Sequence, residues 1–309
     1  MKAFVFPGQG AQFVGMGKDL YDNNAEAREL FEKANEILGF RITDLMFEGS
    51  EDDLKQTKVT QPAVFLHSVI LAKTLGNEFA PDMVAGHSLG ELSALTAAGA
   101  LSFEDGLKLV AARARAMQKA CEIKPSTMAA IIALPDEKVE EICASIPGVV
   151  VAANYNCPGQ LVLGGEKAAV ETAAALAKEK GARRCLPLKV SGPFHTPLMA
   201  PAGDALAERF RTVEFREPQI PVIFNCLGTE RPDGAAIPEL LVRQVQSSVY
   251  MEDSLRRMAA IGLDALVEIG PGKALSGFVK KTVPELPVYA VETAAELEQL
   301  TETLKGASL

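Results

Sequence analysis

Short apolar runs alternate along most of the chain with longer stretches in which apolar residues recur at helical spacing. Runs at Lys2–Phe6, Met83–Gly86, 221–225, Ala265–Ile269 and 287–291 predict strands, separated by helical sequence. That alternation predicts an α/β fold, a mainly parallel sheet covered by helices on both faces. The middle of the chain follows a different order. An apolar run at 128–134 is followed by a helical pattern at 136–146, opened by Pro-Asp, and a second apolar run at 149–155. After the turn Asn156-Cys-Pro-Gly159 come a strand at 160–163, an Ala-rich helix at 166–180 ended by Gly181, and a strand at 184–190. The order β-α-β-β-α-β is the ferredoxin-like unit. If the flanking stretches form one domain, that domain comprises 1–124 and 198–309, with 125–197 as an inserted subdomain.

Composition narrows the function classes. The 309 residues include 31 Lys and Arg against 40 Asp and Glu, a formal net charge of −9. Phosphate backbones and anionic lipid surfaces are repelled by such a chain on average, which argues against nucleic acid and membrane partners. No apolar run approaches the roughly 18 residues of a membrane-spanning helix. Met1-Lys-Ala-Phe-Val-Phe-Pro-Gly8 reads as a first strand rather than a signal peptide, so a cytoplasmic protein is expected. Cysteines 121, 143, 157, 185 and 226 contain no C-x-x-C pair and suggest buried free thiols, not a disulfide framework or a zinc site.

Gly86-His-Ser-Leu-Gly90 fits G-x-S-x-G, placed after the run Met83–Gly86 and before an apolar helical stretch from Glu91. On such a strand-to-helix turn the serine is pushed out of the sheet and the glycines admit close packing, so Ser88 is the candidate nucleophile. The Leu89 amide at the helix start can donate to an oxyanion. The alternative is a glycine-rich turn with an incidental serine.

A serine nucleophile needs a base, and the chain has three histidines. His67 lies among apolar neighbours in the helical run 63–75, and His87 adjoins Ser88, where neighbouring side chains point apart. His195, in the Gly- and Pro-rich segment Val190-Ser-Gly-Pro-Phe-His-Thr-Pro-Leu198, is left as the candidate base. A lipase-type layout would need a histidine near the chain end, and this chain has none there.

Three further segments carry possible chemistry. Pro7-Gly-Gln-Gly-Ala-Gln12 follows the first strand and puts Gln9 at the carboxyl edge of the sheet, where open α/β folds bind ligands. Gln9 can complete an oxyanion hole with the Leu89 amide, or the segment is a glycine turn with solvated glutamines. Ala111-Ala-Arg-Ala-Arg-Ala-Met117 sets two arginines in an apolar helical stretch. An inward one would be a fork for a carboxylate, and surface ion pairing is the alternative. Gly270-Pro-Gly272 reads either as a strand-to-helix joint approaching a phosphate or as a tight turn.

Taken together, the residues closely resemble the malonyl-CoA:acyl carrier protein transacylases of type II fatty acid synthesis. The resemblance covers essentially the whole chain. It rests on Phe6-Pro-Gly-Gln-Gly-Ala-Gln12, Thr60-Gln-Pro-Ala63, Gly86-His-Ser-Leu-Gly90, Arg113 before Met117-Gln118, and Asn156-x-Pro-Gly-Gln160. It continues through Gly192-Pro-Phe-His195, Val242-Arg-Gln244 and Glu268-Ile-Gly-Pro-Gly-Lys273, all in family order. The implied fold is an α/β-hydrolase-like large subdomain with an inserted ferredoxin-like small subdomain. By position, the resemblance implies Ser88 as the acylated nucleophile, His195 as general base and acid, and Gln9 with the Leu89 amide as the oxyanion hole. It implies Arg113 as the carboxylate clamp, and Gln244 as the residue whose main-chain carbonyl holds the histidine ring. Gln61 and Asn156 match positions lining the site. Leu89 and Phe194 match the malonyl pattern of related acyltransferase domains.

The activity so implied is ping-pong transfer of malonyl from malonyl-CoA to the phosphopantetheine thiol of holo acyl carrier protein. The resemblance also implies a monomer and no cofactor beyond the thioester arms of the substrates. For an acidic carrier protein, Lys178, Lys180, Arg183, Arg184 and Lys189 are a candidate docking patch, with Lys280-Lys281 a second. Competing readings are an acyltransferase with another acyl group or serving polyketide synthesis, a serine hydrolase, and a non-enzymatic carrier-binding module.

Overall fold

The computed structural model describes residues 1–76, 80–190 and 192–306. Ser191, within the histidine segment, lies outside the described residues. The strands among the described residues are β1 (Lys2–Phe6), β2 (Met83–Gly86), β3 (Ser126–Ile132), β4 (Val150–Cys157), β5 (Gln160–Glu166) and β6 (Arg184–Pro187). They continue with β7 (Ile223–Phe224), β8 (Thr229–Glu230), β9 (Val249–Tyr250), β10 (Ala265–Ile269) and β11 (Val288–Val291). The chain divides into two compact units. One comprises Met1–Ala114, Glu214–Ile223 and Met258–Leu309, and the other Arg115–Val213 and Phe224–Arg257.

The first unit is built on a sheet of order β11-β10-β1-β2, parallel throughout. An isolated parallel bridge between Val84 and Val222 lies beside β2. The β1 residues Ala3, Phe4, Val5 and Phe6 are buried, as expected of a strand covered on both faces. Thr57–Thr74 forms a helix buried along nearly its whole length, with Gln61, His67 and Ser68 buried among its apolar residues, and the helix Leu89–Ala97 is buried in the same way. Phe6 pairs with Gly86 and Val5 with Glu268, so the turns that follow β1, β2 and β10 emerge side by side at the carboxyl edge of the sheet. That edge is where parallel α/β sheets hold their ligands.

The second unit carries a sheet of order β6-β3-β5-β4-β9. Its first four strands are antiparallel neighbours in the ferredoxin-like arrangement, and β9 adds to β4 in parallel. The helices Asp136–Ser145 and Lys167–Glu179 contribute Val139, Ile142, Val170, Ala173 and Ala177 to a core with Ile131, Leu161 and Leu163 of the sheet. This unit takes in more chain than the 125–197 expected from the sequence. The two-residue β9 and the helices Ala200–Phe210 and Ile237–Gln246 belong to it, and no periodic signal marks so short a strand. The run 221–225 is likewise divided. Val222 bridges to Val84, whereas β7 pairs with β8 in a separate two-stranded ribbon. Among the described residues, no helix is long and apolar enough to cross a membrane.

Candidate active site

Ser88 stands at the turn between β2 and the helix Leu89–Ala97 with φ 54° and ψ −108°, a backbone conformation rare for a residue with a side chain. Its neighbours explain how the strain is held. A Cβ on Gly86 would run into the backbone of Gly90, and a Cβ on Gly90 would run into the carbonyl of Phe6. A Cβ on Gly8 would meet the His87 carbonyl, so the turns after β1 and β2 pack backbone to backbone. His87 N–H donates to the Phe6 carbonyl at 3.0 Å, and Glu91 N–H to the Ser88 carbonyl at 3.1 Å. Leu89 is the first residue of the helix, so its N–H belongs to the set that has no acceptor within the helix.

A chain of polar side chains runs into Ser88 within the same unit. Arg113 donates from Nη2 to Ser88 Oγ at 3.1 Å and from Nη1 to Gln61 Oε1 at 2.8 Å. Gln61 Nε2 donates to Gln9 Oε1 at 3.4 Å, and Gln9 Nε2 to Thr57 Oγ1 at 3.3 Å. Arg113 is 2% exposed, while Arg115 is exposed, which separates the two arginines that helical spacing alone leaves equivalent. Burial pushes the Arg113 guanidinium down to about 10, against the opposing influence of the Glu91 carboxylate, so it remains a cation at neutral pH. A buried cation 3.1 Å from a serine oxygen lowers the cost of negative charge there and offers a fork for a carboxylate.

The second unit holds His195, buried and at φ 59°, the other reactive candidate on left-handed backbone. Its loop is braced from both sides. Thr196 Oγ1 donates to the Pro193 carbonyl at 2.7 Å and accepts from Leu198 N–H at 3.3 Å, and a Cβ on Gly192 would collide with Cys121. His195 Nδ1 lies 2.8 Å from the Gln244 carbonyl oxygen. A carbonyl only accepts, so Nδ1 carries the hydrogen and Nε2 of the neutral ring is left as the base. Gln244 lies in the last turn of the helix Ile237–Gln246, where carbonyls lack partners within the helix and carry the negative end of its dipole. That end favours an imidazolium, as a buried aspartate does in a serine triad. Phe194 is buried beside His195 in the loop, and Asn156 is buried on β4 just where bulges break its register with β5.

Other candidates are used structurally. His67 Nε2 lies 2.7 Å from the Glu292 carbonyl, and burial pushes its imidazole down to about 4. The His87 ring faces Phe278 with centroids 6.3 Å apart. At the Gly270-Pro-Gly272 joint, the following helix Ala274–Thr282 receives the chain's own carboxylate. Glu268 accepts from Leu275 N–H, Ser276 N–H and Ser276 Oγ at 3.1, 2.7 and 2.6 Å, so the joint is a turn and the phosphate reading is not supported.

The model of the acyl transferase domain matches residues 3–305. This chain belongs to the acyl transferase family. It is 42% identical to the malonyl CoA-acyl carrier protein transacylase of Bacillus subtilis (strain 168), over 98% of this chain and 97% of that protein. The crystal structure of malonyl CoA-acyl carrier protein transacylase from Clostridium perfringens superposes with a TM-score of 0.95 at 38% identity. That match covers 99% of this chain and 98% of the other. A malonyl-transacylase in complex with a type II polyketide acyl-carrier protein superposes with a TM-score of 0.94 at 38% identity, covering 98% and 99%. Within the family fold, the strained serine and the braced histidine each lie on a turn whose glycines leave no room for a side chain.

Proposed function

We propose that this chain transfers malonyl from malonyl-CoA to the phosphopantetheine thiol of holo acyl carrier protein, for fatty acid synthesis, through a malonyl ester on Ser88. The observation that carries the reading is the buried Arg113 guanidinium donating to Ser88 Oγ. In the proposed sequence, His195 Nε2 takes the Ser88 proton as the oxygen attacks the thioester carbonyl. Negative charge developing on the carbonyl oxygen rests on the main-chain N–H groups of Leu89 and Gln9. The main-chain N–H of Gln9 is assigned because its side chain is engaged with Gln61 and Thr57. Collapse expels CoA as the thiolate, which takes the proton from the imidazolium. The carrier thiol then enters and the same steps run in reverse. One thioester replaces another, so the overall free-energy change is small and the reaction runs both ways.

In this scheme Arg113 exchanges its bond to Ser88 for the free carboxylate of the malonyl group, and Gln61 holds the guanidinium plane during the exchange. An acetyl group offers no such carboxylate. Asn156 and Phe194 are proposed to line the acyl site. The proposal further takes the enzyme to be a cytoplasmic monomer with no cofactor besides the CoA and phosphopantetheine arms, meeting neither nucleic acid nor membrane. Carrier docking is assigned to Lys178, Lys180, Arg183, Arg184 and Lys189, exposed around the edge strand β6, with Lys280-Lys281 the second patch. The test is intact-protein mass spectrometry after brief exposure to malonyl-CoA or acetyl-CoA. The expected result is a malonyl adduct that is absent in Ser88→Ala and is discharged by holo carrier protein. An adduct on Ser88→Ala, or one lost to water as fast as to the carrier thiol, overturns the reading.

A further inference from the structure

The carbonyl that orients His195 is itself held. Gln244 projects its side chain from the helix Ile237–Gln246 onto Asn225, donating from Nε2 to Asn225 Oδ1 at 3.3 Å, and both residues are buried. Asn225 is fixed in turn, because its own carbonyl accepts from Tyr250 N–H at 2.9 Å where β9 joins the sheet beside β4. Its neighbour Cys226 points its thiol at the Leu240 carbonyl, 3.7 Å away. Leu240 and Gln244 are one turn apart on the same helix, so residues 225 and 226 grip a single face of it at two successive levels. The upper grip falls on the residue whose carbonyl meets His195 Nδ1. A last helical turn is the part most prone to fray. A side-chain tether there fixes the direction of a carbonyl that would otherwise turn towards any available donor.

We propose that Asn225 is a positioning residue for the acyl-transfer base: it holds Gln244 so that the main-chain carbonyl keeps His195 in the Nδ1–H form with Nε2 aimed at its proton. The inference rests on the acyl-transfer reading given above. Asn225 touches neither substrate nor the reacting proton in this role, and it acts through Gln244. Loosening the tether lengthens the bond from Nδ1–H to the carbonyl. Because that bond is stronger for imidazolium than for imidazole, its loss both slows proton transfer and makes the ring a weaker base.

The test is single-turnover acylation by malonyl-CoA, followed by CoA release across pH, in wild type, Asn225→Leu, Gln244→Met and the double variant. Gln244→Met keeps the main-chain carbonyl and removes only the side-chain donor, so it reports on the tether even if Asn225→Leu folds poorly. The acylation rate is expected to fall about tenfold in either single variant, in keeping with the sensitivity of proton transfer to small misplacements. The half-saturating malonyl-CoA concentration should be unchanged, the acid limb of the pH profile should move to lower pH, and the double variant should be no slower than the worse single. Wild-type rates and an unmoved acid limb in Gln244→Met overturn the inference, and so do losses that multiply in the double variant. If wild type forms no ester on Ser88, the acyl-transfer reading fails and this inference with it.

Discussion

Arg113 Nη2 donates to Ser88 Oγ across 3.1 Å, and the guanidinium is buried. In the proposed cycle the same group meets the nucleophile before acylation and the acyl carboxylate after it. Replacing Arg113 by Ala should leave the serine able to react while removing the reason to prefer malonyl over acetyl. The ratio of kcat/KM for the two CoA esters is expected to fall by on the order of 100-fold, about 3 kcal/mol, the scale of losing one partner of a buried pair. Arg113→Lys should recover little, since one ammonium cannot reproduce the planar fork that Gln61 holds. A ratio within threefold of wild type in Arg113→Ala would remove the clamp.

The backbone at Ser88 makes a second expectation measurable by denaturation. At φ 54° a Cβ is strained, and only glycine relieves it. Ser88→Gly should be more stable than Ser88→Ala by about 1 kcal/mol, with neither variant forming an ester. Equal midpoints in urea would show that the turn carries no such strain.

Some glycines abut backbone atoms, others side chains, and others face open space. Gly90→Ala places a Cβ against the Phe6 carbonyl and should cost more than about 3 kcal/mol or prevent folding. Gly277 lies within the helix Ala274–Thr282, and a Cβ there meets nothing within 4 Å, so Gly277→Ala should stabilise by about 0.5–1 kcal/mol. Thermal unfolding of the two variants beside wild type decides both.

His67 sets a pH limit away from the chemistry. Its imidazole is held neutral, pushed down to about 4 by burial, whereas an unfolded histidine titrates near 6.5. The unfolded chain therefore binds the proton first. The stability from this residue is complete above pH 6.5 and is lost progressively as pH falls towards 4, in total on the order of 3 kcal/mol. His67→Gln should flatten the dependence of unfolding free energy on pH across that window, whatever its effect at neutral pH. An unchanged slope would assign the acid sensitivity to other groups.

What the sequence disclosed and what it withheld follow from the range of the interactions involved. The turn at Ser88 was legible because a strained serine needs glycines two residues away on either side, and that demand is written locally. His195 emerged because only three histidines competed. Helical spacing alone does not tell Arg113 from Arg115, since it puts one inward without saying which; the resemblance names Arg113, and packing buries it. Asn225 went unnoticed inside an apolar run read as one strand, although the chain there leaves its bridge to β2 and turns into another pairing. β9 was hidden for a related reason, because two residues carry no period. The four strands and two helices of the ferredoxin-like unit did announce themselves, each long enough to show alternation or a helical face.

The acceptor for His195 Nδ1 belongs to the main chain of Gln244. Every amino acid has that carbonyl, so no codon change at position 244 deletes it, and a scan of substitutions there records only how far each side chain displaces it. Any preference for glutamine at this position must therefore come from its side chain, which reaches Asn225, and not from the carbonyl. The carbonyl also has no proton to gain in acid, so acidification leaves the acceptor itself unchanged, where an aspartate in its place would take up a proton.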